Sequence, residues 1–101
     1  MAIAEISVVP IGTGDPSVSE YVAECIRALD KADIKHTLTP MGTVIEGSLD
    51  EILEAVRMLH RVPLNHGAAR VLTKLVIDER RDKDASAEQK VASVRKRLAG
   101  S

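Results

Sequence analysis

The sequence has no phenylalanine and no tryptophan, and Tyr21 is its only aromatic residue. A core without rings must be built from Ile, Val, Leu, Ala and Met. There is one cysteine, Cys25, which excludes an internal disulfide and fits a reducing compartment. Charge of one sign is also missing. Fourteen Lys and Arg against fifteen Asp and Glu leave a net −1. That balance lacks the basic excess a nucleic-acid protein needs to displace counterions, and the acidic excess of a disordered tail. No apolar run approaches the ~20 residues of a membrane helix. The opening MAIAEISVVP carries no basic region ahead of its apolar stretch and no small-residue cleavage site, so it does not read as a signal peptide. The expectation is a cytoplasmic protein that meets neither nucleic acid nor membrane. With 101 residues, residues 1–101 form a single domain. A chain this short buries roughly 60–65% of its unfolded surface, and self-association is the usual way to bury more.

What is present is a clear alternation of patterns. Residues 2–9 are short, apolar and β-rich, and Pro10, Gly12 and Gly14 close the run. Ser17 and Glu20 have capping-box spacing. Val18, Tyr21, Val22, Cys25, Leu29 and Ala32 then recur every three or four residues, which predicts a helix over 17–32. Two β-prone runs, 34–39 and 43–47, flank Pro40-Met41-Gly42, the mark of a tight hairpin. Ser48 and Glu51 repeat the capping box, and Leu49, Ile52, Leu53, Val56 and Leu59 form a second helical stripe. Pro63 is expected to kink or end that helix near residue 62, with Asn65, His66 and Gly67 as its stop. Residues 71–77 predict a fourth strand. Ser86 and Gln89 cap a third helix over 86–98, whose apolar seam is only Val91, Val94 and Leu98.

The order β-α-β-β-α-β plus a terminal helix predicts an α+β, ferredoxin-like fold: an antiparallel four-stranded sheet with two helices on one face. The other face then has no helical cover. In the first strand Ala4, Ile6 and Val8 suit the helices, while Glu5, Ser7 and Val9 point away. In the fourth, Val71, Thr73, Leu75 and Ile77 oppose Leu72, Lys74 and Val76. In the second, Lys35, Thr37 and Thr39 oppose His36 and Leu38. The alternation leaves open which face of each strand turns inward. A face mixing aliphatic groups, hydroxyls and charges suits a subunit interface or a surface for a small polar molecule. The thin seam of the last helix also asks for something to pack against.

Sharper chemical readings meet plainer ones. Gly12-Thr13-Gly14 stands between strand and helix, where amides can hold a phosphate. It lacks the third glycine of a dinucleotide fingerprint and any following Lys-Ser/Thr, Asp15 opposes an anion, and turn chemistry is favoured. His36, His60 and His66 show no i, i+4 pair, and Cys25 adds no metal ligand, so no metal site is read. Cys25 lies on an apolar stripe as a small core residue. Arg80 and Arg81 among Asp78, Glu79, Asp82 and Asp84 can clamp a phosphate or a partner's carboxylate, but alternating signs favour a solvated or inter-subunit salt-bridge network. Glu5, Glu46 and Glu51 make no convincing acid–base pair, and no nucleophile, base and orienting group stand together. No catalytic residue and no cofactor are assigned.

Three segments carry a resemblance: AEISVVPIGTG at 4–14, LTPMGTVIEG at 38–47 and IDERRDK at 77–83. They resemble the small thiamine-binding (YkoF-like) family, over about residues 2–98. The matching positions are Ser7, Pro10, Gly12 and Thr13 in the first motif, and Thr39, Met41, Gly42, Thr43 and Glu46 in the second. The resemblance implies a ferredoxin-like subunit in dimers and often tetramers. It implies binding of thiamine or its hydroxymethylpyrimidine portion, without turnover, at Ser7, Thr39, Met41, Gly42, Thr43 and Glu46. Hydroxyls and glycine main chain can meet the donors and acceptors of an aminopyrimidine. Glu46 or Glu5 can pair with a ring nitrogen or balance a thiazolium charge, and Met41 offers a polarisable contact. The competing class is an interaction module whose open sheet face serves only for association. A third is a small enzyme acting on a related heterocycle.

Overall fold

The computed structural model describes residues 1–14, 18–82 and 86–100. Its elements run β1 (Ala2–Ile11), α1 (Ser19–Lys31), β2 (His36–Thr39), β3 (Gly42–Gly47), α2 (Leu49–Asn65), β4 (Arg70–Glu79) and α3 (Ala87–Ala99). The four strands form one sheet in the order β2-β3-β1-β4, with every neighbouring pair antiparallel. This is the ferredoxin-like arrangement that the element order predicts.

Register decides which face each residue occupies. Ala2, Ala4 and Ile6 lie opposite Gly47, Ile45 and Thr43 on one side of β1 and opposite Glu79, Ile77 and Leu75 on the other. Cross-strand partners share a face, and this is the face that α1 and α2 cover. The core here is Ala2, Ala4, Ile6, Cys25, Leu29, Ile45, Ile52, Ala55, Leu59 and Val62. Leu29, Ile45, Ile52 and Leu59 are fully buried. Small alanines on β1 let α2 lie close to the sheet, and Leu and Ile from the helices fill the remaining volume. Glu5, Val9, Leu72, Lys74 and Val76 lie exposed on the opposite face.

Local chemistry explains most element boundaries. The Ser48 hydroxyl accepts from the Glu51 amide at 3.2 Å, and the Glu51 carboxylate accepts from the Ser48 amide at 3.1 Å. Ser86 and Gln89 repeat the box at the start of α3. For α1 the N-cap is Val18, which makes no side-chain cap. The expected Ser17–Glu20 box lies partly outside the described residues. Gly12, Gly14 and Gly67 all hold positive φ, at 77°, 81° and 98°, a region open to glycine at little cost. Gly12 and Gly14 therefore do turn work after β1, and Gly67 follows the end of α2.

One expectation is corrected. Pro63 does not end α2 near residue 62; the helix runs on to Asn65 with Pro63 fully buried inside it. Proline removes one amide donor, the one that would reach the carbonyl of Leu59. That carbonyl instead faces the Cys25 thiol across the α1–α2 contact, at 4.0 Å. Only two residues remain beyond Pro63, and its own carbonyl accepts from the amides of His66 and Ala68. A proline in the last turn costs little helix, and its ring adds to the core.

Candidate functional site

A cleft of about 1110 Å³ opens between α1 and the β2–β3 hairpin. It exists because the two helices sit differently on the sheet. α2 packs on β1, β3 and β4, whereas α1 packs chiefly on α2. The strands are also unequal. β1 pairs with β4 over its whole length, from Ala2 to Ile11, but with β3 only as far as Ile6 opposite Thr43. Beyond Ile6 the hairpin has turned back, and the rest of β1 borders open space.

The hairpin tip is built by Thr39. Its hydroxyl donates to the Gly42 carbonyl at 2.7 Å and accepts from the amides of Gly42 and Met41, at 3.1 and 3.3 Å. One side chain thereby holds both ends of the Pro40-Met41 turn. Glycine suits the position next to it: a Cβ added at Gly42 would lie 3.0 Å from the Ile6 carbonyl oxygen of β1, a tight contact. Met41 is left 81% exposed at the tip, a flexible thioether with nothing yet packed on it. Val18, Val22, Cys25 and Ile26 of α1 form the facing wall, with Leu38 and Val9 completing an apolar lining. Arg27 is the one charged residue among those described that line the cleft, and it is ion-paired to Glu24.

Of the six residues singled out in the sequence, Ser7, Thr39, Met41, Gly42 and Thr43 come together here. Glu46 does not. It shares β3 and a sheet face with Gly42 but lies four residues further along, at the end of the strand away from the cleft. Its side chain is 3% exposed, next to Lys35 at 3.5 Å, and it accepts from the Ala87 amide at 2.8 Å. A buried carboxylate at the first turn of a helix satisfies an otherwise unpaired amide and complements the helix dipole. Lys90 on α3 pairs with Asp78 on β4, giving the same helix a second tie. Glu5 is also off the cleft, exposed on the open face. The residues the sequence motifs did not point to are those of α1, whose stripe reads equally well as plain core packing.

The remaining reactive groups are engaged elsewhere. Burial, with a smaller push from Glu24, raises the Cys25 thiol to about 11, so it stays protonated and poorly nucleophilic. His36 Nδ1 lies 2.7 Å from the Ile34 carbonyl, and its Nε2 3.2 Å from Asp30. His60 pairs with the Thr73 hydroxyl at 2.7 Å, and His66 with the Val62 carbonyl at 2.8 Å. Among the described residues no group of three His, Cys, Asp or Glu is placed to hold a metal ion. Arg80 forks onto Asp82, and Asp84 of the same charged segment lies outside the described residues. No helix among the described residues is long and apolar enough to cross a membrane.

Known proteins place this architecture. The solved structure of MJ1052 from Methanocaldococcus jannaschii superposes with a TM-score of 0.84 at 44% identity, over 92% of this chain and 94% of that one. A Thermotoga maritima structure, TM0486, named as a candidate thiamine biosynthesis/salvage protein, matches with a TM-score of 0.76 at 28% identity. It covers 92% of this chain and 97% of its own. The UPF0045 protein YqgV of Bacillus subtilis is 44% identical over 97% of this chain and 98% of its own length. The family described as thiamine-binding protein matches residues 4–95. The chain belongs to that family.

Proposed function

We propose that this protein binds thiamine or its hydroxymethylpyrimidine portion in the cleft between α1 and the β2–β3 hairpin, without turning it over. One observation carries the reading. Ser7 on β1 and Thr39, Met41, Gly42 and Thr43 on the hairpin, far apart in the chain, line a single cavity with aliphatic walls. Apolar faces for a ring and a few convergent polar groups are the usual makeup of a small-molecule site. Membership of the thiamine-binding protein family and the name of the Thermotoga neighbour support the choice of ligand. Glu46 serves this function indirectly, by holding α3. The protonated Cys25 thiol in the cleft wall favours binding over nucleophilic catalysis.

The working form is an oligomer, a dimer or tetramer, in the cytoplasm. Val9, Leu72 and Val76 are exposed on the open sheet face, and Val91, Val94 and Leu98 on α3. Apolar surface of this extent favours association of copies. The same surface supports a second reading, in which the chain is only an interaction module. Thermal melting separates the two. A ligand at about a hundred times its Kd stabilises the native state by about 2.7 kcal/mol, so thiamine or hydroxymethylpyrimidine raises the melting temperature by at least about 5 °C. No shift with either compound at millimolar concentration removes the ligand and leaves the interaction module. Sedimentation equilibrium tests assembly, and a monomer at micromolar concentration refutes the oligomer.

A further inference from the structure

Beyond Ile6, β1 presents a main-chain edge to the cleft without pairing to β3. The Glu46 amide donates to the Lys35 carbonyl at 3.1 Å, so even-numbered residues of β3 turn their main-chain groups toward β2. Odd-numbered Thr43, Ile45 and Gly47 therefore turn theirs toward β1, where they lie opposite Ile6, Ala4 and Ala2. Main-chain direction alternates along an antiparallel ladder. Even-numbered residues of β1 thus face β3, and odd-numbered ones face β4. Pairing with β3 stops at Ile6. The next even residue, Val8, directs both its N–H and its C=O past the hairpin tip, with no strand partner among the described residues. Pro10 follows in the same orientation. Proline belongs where a strand has no ladder acceptor to meet, which agrees with an unpaired edge. The cleft is lined by Ser7, Val8 and Val9 together. Alternate side chains point to opposite faces, so a cavity touching all three wraps the strand edge itself.

We propose that the Val8 main chain is the polar recognition element of the site, its N–H and C=O meeting the ring nitrogen and the exocyclic amine of an aminopyrimidine. This rests on the ligand reading given above and deepens it. A neighbouring acceptor and donor on one ring edge match a neighbouring donor and acceptor on one residue. Val9, Val18, Val22, Leu38 and Met41 supply the apolar faces between which a flat ring lies. No described carboxylate lines the cavity, so the neutral pyrimidine ring, and not a cationic thiazolium, is the part this site grips.

The direct test is the amide of Val8 in the intact protein, observed by proton–nitrogen NMR with hydroxymethylpyrimidine added. An unpaired edge amide exchanges quickly with solvent. Saturating ligand is expected to shift its resonance and slow its exchange about tenfold or more, as for an amide that gains an acceptor. Val8→Pro deletes the donor at a position whose hydrogen bond no strand uses. It is expected to keep the wild-type circular dichroism and lose about tenfold in affinity. Binding by the wild type with the Val8 amide unmoved overturns the edge recognition while leaving the cleft reading intact. A folded Val8→Pro variant that binds as the wild type does the same. Should that variant not fold, the wild-type resonance decides alone. A wild type that binds neither hydroxymethylpyrimidine nor thiamine overturns both readings.

Discussion

At one end of β3, Thr39 and Thr43 border a cleft where β1 runs on without its partner strand. At the other end, Glu46 is buried and accepts from the first amide of α3. One strand and one motif serve both ends, yet the polar groups are used in opposite ways. Near Glu46, Lys35 pairs with Glu46 and Lys90 with Asp78. Beside Val8, a donor and an acceptor face space. A satisfied buried polar group holds structure together, whereas an unsatisfied one beside an apolar cavity calls for an explanation. The proposed ligand is what would meet that donor and acceptor here. The lesson for reading such a motif is that shared sequence neighbourhood does not mean shared site.

That contrast is easiest to break at the closed end. Glu46→Ala removes the acceptor of the Ala87 amide and leaves Lys35 without its partner. It is expected to cost about 2 kcal/mol and to unravel the start of α3, read as faster proteolysis there, while hydroxymethylpyrimidine affinity stays within about twofold. Glu46→Gln keeps an acceptor and restores most of the stability. A fall in affinity of more than about tenfold in the glutamine variant would move Glu46 into the ligand site and dissolve the contrast. At the open end the expected result is inverted. Thr39→Ala loses the hydroxyl that ties Gly42 and Met41, lowering stability by about 1 kcal/mol but ligand affinity several-fold, since the hairpin wall loses its shape. Unchanged binding would detach the hairpin from the site.

The smallest effect concerns neither end and serves as a control. Hydrogen bonds from the Ser48 amide and hydroxyl hold the Glu51 carboxyl below its ordinary range. A depressed folded value means stabilisation that is fully present above the unfolded value, about 4.3, and is lost as pH falls through the lowered one. The melting temperature is therefore expected to decline slightly more on acidification for the wild type than for Ser48→Ala, which has already lost the box. Parallel curves would show that the cap contributes nothing measurable.

Much of this was legible in the chain. Capping boxes at Ser48 and Ser86, the Pro40-Met41-Gly42 break and the period-two runs gave elements whose order admits one sheet topology. Alternation suggested Ala4 and Ile6 as the helix-facing set of β1, whereas the inward choice of Leu75 and Ile77 on β4 came from the register against β1. Pro63 was misread because a local rule about helix breaking met a tertiary contact: Cys25 reaches the carbonyl the proline leaves, and burial of the ring adds packing. Glu46 stands with the motif in sequence but not in space, because β3 carries it roughly 13 Å along the strand from Gly42 and the hairpin tip. The α1 wall of the cleft escaped notice because Val18, Val22 and Ile26 carry the same stripe whether they meet a core or a cavity.

The sequence by itself therefore determined the elements, their order and the residues of the family motifs, since propensity, capping and periodicity act over a few residues. Only the tertiary structure decided that β1 outruns β3, that α1 packs chiefly on α2, and that Glu46 is buried against the start of α3. Those depend on where one strand ends relative to another, and that register is fixed by contacts between segments tens of residues apart.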